Sequence, residues 1–183
     1  MVPDFALRIH AMIRSLREVV LPALPNDEML AIDQANILVG YLAIMAQQHD
    51  RVFEYLLVEL AEYAELLGAM VEDARGARSI EHAVAKARAA LDLAAPILQM
   101  PIPRQGELSA LVRSLKETAD ELLRAAWQDG APAYRQASAQ RVMQQAERQI
   151  LRERAWFRAS GFELDVRQLP SIDDVLLPNR KKS

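Results

Sequence analysis

Glutamates are the most concentrated reactive side chains in this sequence. Five of them lie along one predicted helical stretch: Glu54, Glu59, Glu62, Glu65 and Glu72. Bundles that bind two metal ions combine inward-facing glutamates with a Glu-x-x-His motif on two of their helices. No glutamate stands three residues before His10, His49 or His82. The glutamates also lie opposite the apolar side of their helix, so we predict a solvated acidic face and no metal site.

His49 has the best context for acid–base chemistry among the histidines. It follows an apolar run and precedes Asp50, and a neutral histidine beside a carboxylate can accept or donate a proton. The same residue can equally cap the end of a helix. No serine stands in a G-x-S-x-G motif and the chain has no cysteine. We therefore predict no catalytic residue and no cofactor, with an acid–base enzyme built on His49 as a minor alternative.

Asn36 and Tyr41 carry polar atoms into the most apolar part of the chain, the stretch ILVGYLAIMA at Ile37–Ala46. If these side chains are buried, each needs a hydrogen-bond partner, and a core asparagine often sets helix register or oligomeric state. Alternatively, Asn36, Tyr41 and His49 line a small cavity between helices, where bundles usually hold their ligands. We predict packing, and keep a small-ligand-binding bundle as the alternative function.

Arginine and aromatic side chains are concentrated towards the C-terminus. Both types are enriched in the cores of protein interfaces. The predicted interface residues are Trp127, Tyr134, Arg148, Arg152 and Trp156. The net charge of −3 and the glutamates between these arginines argue against a nucleic-acid partner.

Composition predicts the fold class. The 183 residues are 51% hydrophobic but only 5% aromatic, with six glycines, so alanine and leucine dominate and turn and strand chemistry is scarce. We predict an all-α, up-and-down bundle of five to six helices with a C-terminal helical hairpin and an irregular tail. The bundle is expected to be one domain, with the proline-rich linker 96–106 dividing an N-terminal half from the hairpin.

The stretch Ile37–Ala46 is the predicted centre of that bundle. No charged side chain occurs in Gln34–Gln48, and a helix that is apolar all round must be buried in a core or in a membrane. Ten apolar residues fall short of the roughly 20 that span a bilayer, which favours the core. Residues 27–74 form either one long helix or two, and the usual length of helices favours two that break at Gln47–Asp50.

Local signals mark the later helices. Gly68, Gly76 and Ser79 indicate a break, with Ser79 as an N-cap, and Asp129 with Gly130 ends an amphipathic helix at 107–128. The last long helix, at 133–160, has a narrow seam with the 4-3-4-3-4 spacing of a helix packed lengthwise against one partner. The seam residues are Ala139, Met143, Ala146, Ile150, Glu153 and Phe157. A glutamate within the seam weakens a coiled-coil interpretation.

The segments REVVLPAL (Arg17–Leu24) and ANILVGYLAIMAQQ (Ala35–Gln48) together resemble a group of bacterial helical proteins. Members of that group are often encoded beside acyl-CoA dehydrogenase-like and aminoglycoside-phosphotransferase-like enzymes. The resemblance covers the first half of the chain and implies an accessory role, but no active-site residue.

Together these features predict a non-enzymatic helical bundle that acts through helix–helix association. We expect a homodimer, with a further protein partner as an option, and neither nucleic acid nor membrane as a partner. The lack of cysteine and of a secretory signal in MVPDFALRIH predicts a cytoplasmic protein.

Overall fold

The computed structural model describes residues 4–100, 103–158 and 165–176. In these residues the chain is an all-α helical bundle, as its composition predicts. Most of the predicted irregular tail lies outside the described residues. In the part that is described, a short helix lies at Ile172–Leu176.

The helices follow one another with short connections. They are α1 (Phe5–Ser15), a π-helical segment (Leu16–Val20), α2 (Leu21–Ala23), α3 (Met29–Gln48), α4 (Val52–Glu72), α5 (Arg78–Gln99), α6 (Gln105–Asp129), α7 (Pro132–Trp156) and α8 (Ile172–Leu176). Residues 27–74 form two helices, and the chain turns between Gln48 and Val52, where the polar residues predicted a break. Gly68 lies inside α4 and is not part of a break.

The chain forms two compact units. The first consists of Met1–Val52 and Leu151–Ser183, and the second is Phe53–Ile150. The proline-rich stretch 96–106 lies inside the second unit, where it connects α5 to α6. Along the chain, the units change at Val52–Phe53 and at Ile150–Leu151. Pro96 lies inside α5, so a proline need not end a helix, and it carries no information about which helices pack together afterwards.

The core of the second unit is built mainly by α4, α5 and α6, with Tyr134 and Val142 of α7 packed into it. The predicted apolar face of α6 is confirmed, because its members are buried or packed against the core: Leu108, Leu111, Val112, Leu115, Ala119, Leu122, Leu123 and Ala126. The buried side of α5 is nearly all alanine, at Ala83, Ala87, Ala90 and Ala94. Small side chains let two helix backbones approach closely, and α5 packs most extensively against α6.

A close backbone approach joins the start of α5 to the end of α6. Gly76 and Gly130 form an isolated antiparallel β-bridge, and the backbone N–H of Ala131 donates to the carbonyl oxygen of Arg75 at 2.8 Å. A Cβ atom on Gly76 would stand only 2.9 Å from the carbonyl oxygen of Asp129. The two helix ends therefore meet at a point where the sequence must supply glycine.

In the first unit, α3 is not the covered central helix that the sequence predicted. Ala35, Val39 and Ile44 are buried, and α3 packs along α1. The outer side of the predicted centre is exposed, with Ile37 at 43% and Tyr41 at 56% of their full accessibility. An apolar pattern indicates that a helix is buried by its surroundings, but the described residues of this chain pack against only one side of α3.

α3 is also the one helix in the described part of the chain that is long and apolar enough to cross a membrane, judged by length and composition alone. The charge-free centre at Ile37–Ala46 is too short to span a bilayer, but the whole of α3 has 20 residues. Core helices of soluble proteins pass the same test, but they are mostly buried, and only 17% of the most apolar window of α3 is buried. The composition of this helix is thus weak support for a membrane span.

Candidate interaction surfaces

The three residues of the predicted ligand pocket do not come together. Asn36, Tyr41 and His49 are all exposed. Asn36 and Tyr41 are five positions apart on α3, which places their side chains about 140° apart around the helix axis. His49 lies at the C-terminal end of α3, with its Nδ1 atom 3.0 Å from the carbonyl oxygen of Ala46. His49 therefore caps a helix end, which is the structural role that its sequence context also allowed.

A cleft of about 360 Å³ does occur in the first unit, and none of those three residues lines it. Several of its polar lining residues have partners within the same unit. A guanidinium nitrogen of Arg51 lies 3.2 Å from a carboxylate oxygen of Asp173, and the Ser171 hydroxyl donates to Asp174 at 2.8 Å. The side-chain amide of Gln48 donates to the carbonyl oxygen of Trp156. These groups hold the cleft walls together, so the cleft gives no support to a ligand site.

The acidic face of α4 is only partly solvated, which corrects the prediction for two of its glutamates. The side chain of Glu59 is buried and accepts a hydrogen bond from Lys116 Nζ at 2.8 Å. Glu62 accepts one from the side-chain amide of Gln145 at 2.9 Å. Glu65 and Glu72 are exposed, as expected. Among the described residues, no three histidines or acidic side chains are grouped so that they could hold a metal ion.

The buried side of α7 is mostly polar, although Val142 also packs against the core of the second unit. Its polar residues in the second unit are Tyr134, Ser138, Arg141, Gln145 and Gln149. Tyr134 donates from its phenol to the carbonyl oxygen of Met70 at 3.0 Å, and Gln149 accepts from the phenol of Tyr63 at 2.6 Å. Arg141 donates to the carboxylate of Asp73. These bonds satisfy polar groups that would otherwise be costly to bury, and they fix which side of α7 faces α4.

Two of the five predicted interface residues belong to the interior. Tyr134 is 3% exposed and Arg152 is 2% exposed. Burial raises the pKa of the Tyr134 phenol above its usual value. Trp156 is half-buried, whereas Trp127 and Arg148 are exposed. Residue type alone suggested all five, but only the position of each residue around its helix decides which of them reach solvent.

The apolar side of α7 faces solvent. The large seam residues of the second unit, Met143 and Ile150, are 65% and 55% exposed, and the alanines Ala139 and Ala146 alternate with them. We call these four residues the α7 seam. The sequence predicts the spacing of this seam, but it does not show that Trp127, which is 60% exposed, lies beside it. Trp127 lines an open groove of about 810 Å³ together with residues of α7 that include Ala139 and Met143.

A second apolar surface lies on α3. The outward residues are Leu30, Ile37, Leu38, Tyr41 and Met45, which we call the α3 stripe, and each exposes 43–74% of its surface. Helical geometry places these positions on one side of α3, away from the buried residues Ala35 and Val39 and with the buried Ile44 at the edge. Exposed apolar patches of this extent usually mark interaction sites.

Compared with protein-family models, with curated proteins and with solved structures, the chain has no match. Its function is therefore inferred from these surfaces.

Proposed function

We propose that this protein acts through helix–helix association and that the α3 stripe is the surface that binds an apolar helix of another protein. The observation that carries this proposal is the exposure of the stripe on a helix without any charged side chain in Gln34–Gln48. The resemblance described above suggests a metabolic enzyme as the partner, which would give this chain an accessory role.

The stripe supplies enough apolar surface to drive association. Fully burying a large apolar side chain contributes about 1.5–3 kcal/mol, so covering the exposed halves of five such side chains contributes on the order of 5 kcal/mol. A charged group placed opposite the stripe would lose its hydration without gaining an ion-pair partner. The surface therefore favours a partner helix that is itself uncharged and apolar.

A bilayer is a poorer occupant of the same surface, because α1 packs beside α3. The ring centroids of Phe5 and His49 lie 5.6 Å apart, so the start of α1 is next to the end of α3. Arg8 and Arg14 are exposed on α1 and would enter the hydrocarbon together with α3. Each arginine at the centre of a bilayer costs at least about 2.5 kcal/mol.

The test compares two substitutions that add the same charge to opposite sides of α3. Tyr41→Glu places a carboxylate in the stripe, whereas Asn36→Glu places one on another exposed side of the same helix. Proteins captured from the native cell extract by the wild-type chain are identified, and the strongest is purified and titrated against all three chains by calorimetry. We expect Tyr41→Glu to weaken binding at least about tenfold and Asn36→Glu to leave it unchanged.

Circular dichroism must show the same helix content in all three chains for this comparison to count. Equal binding by wild type and Tyr41→Glu would refute the proposal, as would the absence of any partner that titrates. Co-sedimentation of the wild-type chain with phospholipid vesicles would also overturn it, because the bilayer would then be the occupant of the stripe.

A further inference from the structure

α7 directs a mostly polar side towards the core, where Val142 also packs, and leaves two large apolar side chains in solvent. Its polar residues Tyr134, Ser138 and Gln145 are buried within the second unit, while Met143 and Ile150 point to solvent. The inward side is held by hydrogen bonds to α4, so α7 cannot turn its apolar side inward without breaking them. The exposed α7 seam is therefore a fixed feature of the folded chain.

We propose that the α7 seam pairs with the same seam of a second copy of this chain, with the two α7 helices antiparallel about a two-fold axis that passes between Gln144 and Gln145. This proposal concerns a different surface from the α3 stripe and does not rest on the function proposed above. It names the partner, the direction of pairing and the register.

The order of residue sizes in the seam selects antiparallel pairing. Along α7 the seam reads small, large, small, large, at Ala139, Met143, Ala146 and Ile150. Read in reverse, the second copy presents large, small, large, small. Each large side chain then lies opposite an alanine, which lets the two surfaces interdigitate at the density of a protein core. Parallel pairing in register would place Met143 against Met143 and leave a gap between the alanines.

The groove beside Trp127 supports the same register. The two-fold axis places Ile150 of the second copy opposite Ala139, which lines this groove. Trp127 forms one wall, and the guanidinium of Arg135 lies 5.9 Å from the centre of its ring. A small residue beside an exposed tryptophan leaves room for an incoming branched side chain. Antiparallel pairing therefore fills the groove on both copies at once.

The rim of the groove is suited to a copy of itself. Three glutamines, Gln136, Gln140 and Gln144, line it together with the charged residues Arg135 and Glu147. Glutamine both donates and accepts hydrogen bonds, so the glutamines of two identical rims can bond to each other. The large residues Trp127, Met143 and Ile150 expose roughly 400 Å² on each copy, about half of the roughly 800 Å² per partner in a standard interface. We therefore expect a weak dimer whose population rises with the concentration of the chain.

The first experiment measures the oligomeric state by sedimentation velocity over a concentration series. We expect the wild-type chain to form dimers and Met143→Glu to be monomeric at the concentration where the wild type is mostly dimeric. Arg148→Glu is the matched control, because Arg148 is exposed on the side of α7 opposite the seam. Tyr41→Glu should also remain dimeric, which separates this proposal from the one concerning α3.

The second experiment determines direction by cross-linking, since the chain has no cysteine of its own. Residues 139 and 150 are about 16 Å apart along a helix, too far for identical positions to form a disulfide in the antiparallel pair. Ala139→Cys mixed with Ile150→Cys should therefore cross-link on oxidation, while neither variant does so alone.

Cross-linking of each variant with itself would show parallel pairing and overturn the proposal. The proposal would also be overturned if the wild-type chain stayed monomeric in the most concentrated sample of the series, 100-fold above the lowest. A Met143→Glu chain that still formed dimers would overturn it as well. Thermal melting of each variant shows whether it is folded. If Met143→Glu does not fold, Ala139→Gln, which fills the groove with a neutral side chain, replaces it and is expected to be monomeric.

Discussion

The carboxylate of Asp129 accepts a hydrogen bond from the backbone N–H of Ser79 at 2.8 Å and one from that of Ile80 at 3.3 Å. Asp129 is the last residue of α6, whereas Ser79 lies in the first turn of α5. The N–H groups of a first helical turn have no partner inside the helix, and the residue before α5, Ala77, has no side chain that can accept from them. One helix is therefore capped by the end of another.

Replacing Asp129 should destabilise the junction between α5 and α6. Asp129→Ala removes both accepted hydrogen bonds, and we expect the melting temperature at pH 7 to fall by about 2–4 °C. Asp120→Ala, which removes an exposed carboxylate 3.4 Å from Arg124 on the same helix, is the control and should have little effect.

The effect of Asp129 should also depend on pH. The hydrogen bond from the Ser79 N–H holds the pKa of this carboxyl below its ordinary value of 3.8. A lowered pKa in the folded state stabilises the protein above the ordinary pKa, and this stabilisation disappears as the pH falls through the folded-state pKa. The difference in melting temperature between wild type and Asp129→Asn should therefore shrink in acid. A difference that stays constant from pH 7 to pH 2 would contradict this assignment.

Gly76 should tolerate no side chain. A Cβ atom there would lie 2.6 Å from Ile80 Cγ1 and 2.9 Å from the backbone oxygen of Asp129. We expect Gly76→Ala to destabilise the protein by about 1–3 kcal/mol in urea unfolding. Gly68→Ala is the matched control, because nothing lies within 4 Å of a Cβ at that position inside α4. It should stabilise the helix by about 0.5–1 kcal/mol. Equal effects of the two substitutions would refute the close approach.

The Lys116 ammonium should contribute to stability, because the Glu59 carboxylate to which it donates is buried. The side chain of Glu59 is 6% exposed, and that of Lys116 is 33% exposed. Lys116→Met removes the ammonium that donates to the buried carboxylate of Glu59. Breaking a fully buried pair costs 3–5 kcal/mol, and partial exposure of Lys116 lowers our expectation to about 2 kcal/mol. Lys86→Met, at the exposed pair with Glu121, should leave the urea midpoint nearly unchanged. Similar losses from both lysines would contradict this prediction.

The phenol of Tyr134 should contribute through its bond to Met70. We expect Tyr134→Phe to lower the free energy of unfolding by about 1 kcal/mol, whereas Tyr41→Phe, at an exposed position, should not change it. Burial raises the pKa of Tyr134, so its stabilising effect is present below the ordinary pKa of 10 and is lost as the pH rises through the folded-state value. Alkaline melting curves of wild type and Tyr134→Phe should therefore converge. Parallel curves up to pH 12 would argue against a buried phenol.

Helix positions and their faces could be derived from the sequence because they depend on local periodicity. The apolar face of α6, the turn between Gln48 and Val52 and the spacing of the α7 seam all follow from patterns among residues that are close together in the chain. Each pattern states which side chains share a side of a helix.

The candidate surfaces could not be derived in the same way. Periodicity gives α7 a polar side and a narrow apolar side, but it does not say which of them meets a neighbour. α4 presents Glu62 and the carbonyl oxygen of Met70, and Asp73 follows directly after α4. These groups select the polar side of α7. The same contacts leave the apolar seam in solvent.

The sequence by itself thus determined an all-helical chain, the faces of its helices and one helix, α3, that is apolar on all sides at its centre and therefore expected to be buried. Only the tertiary structure decided that the cover of α3 is one-sided, that Glu59 is buried and that Asp129 caps α5. The physical reason is that hydrophobic burial is non-directional, whereas hydrogen bonds between distant residues such as Asp129 and Ser79 require one specific arrangement of helices.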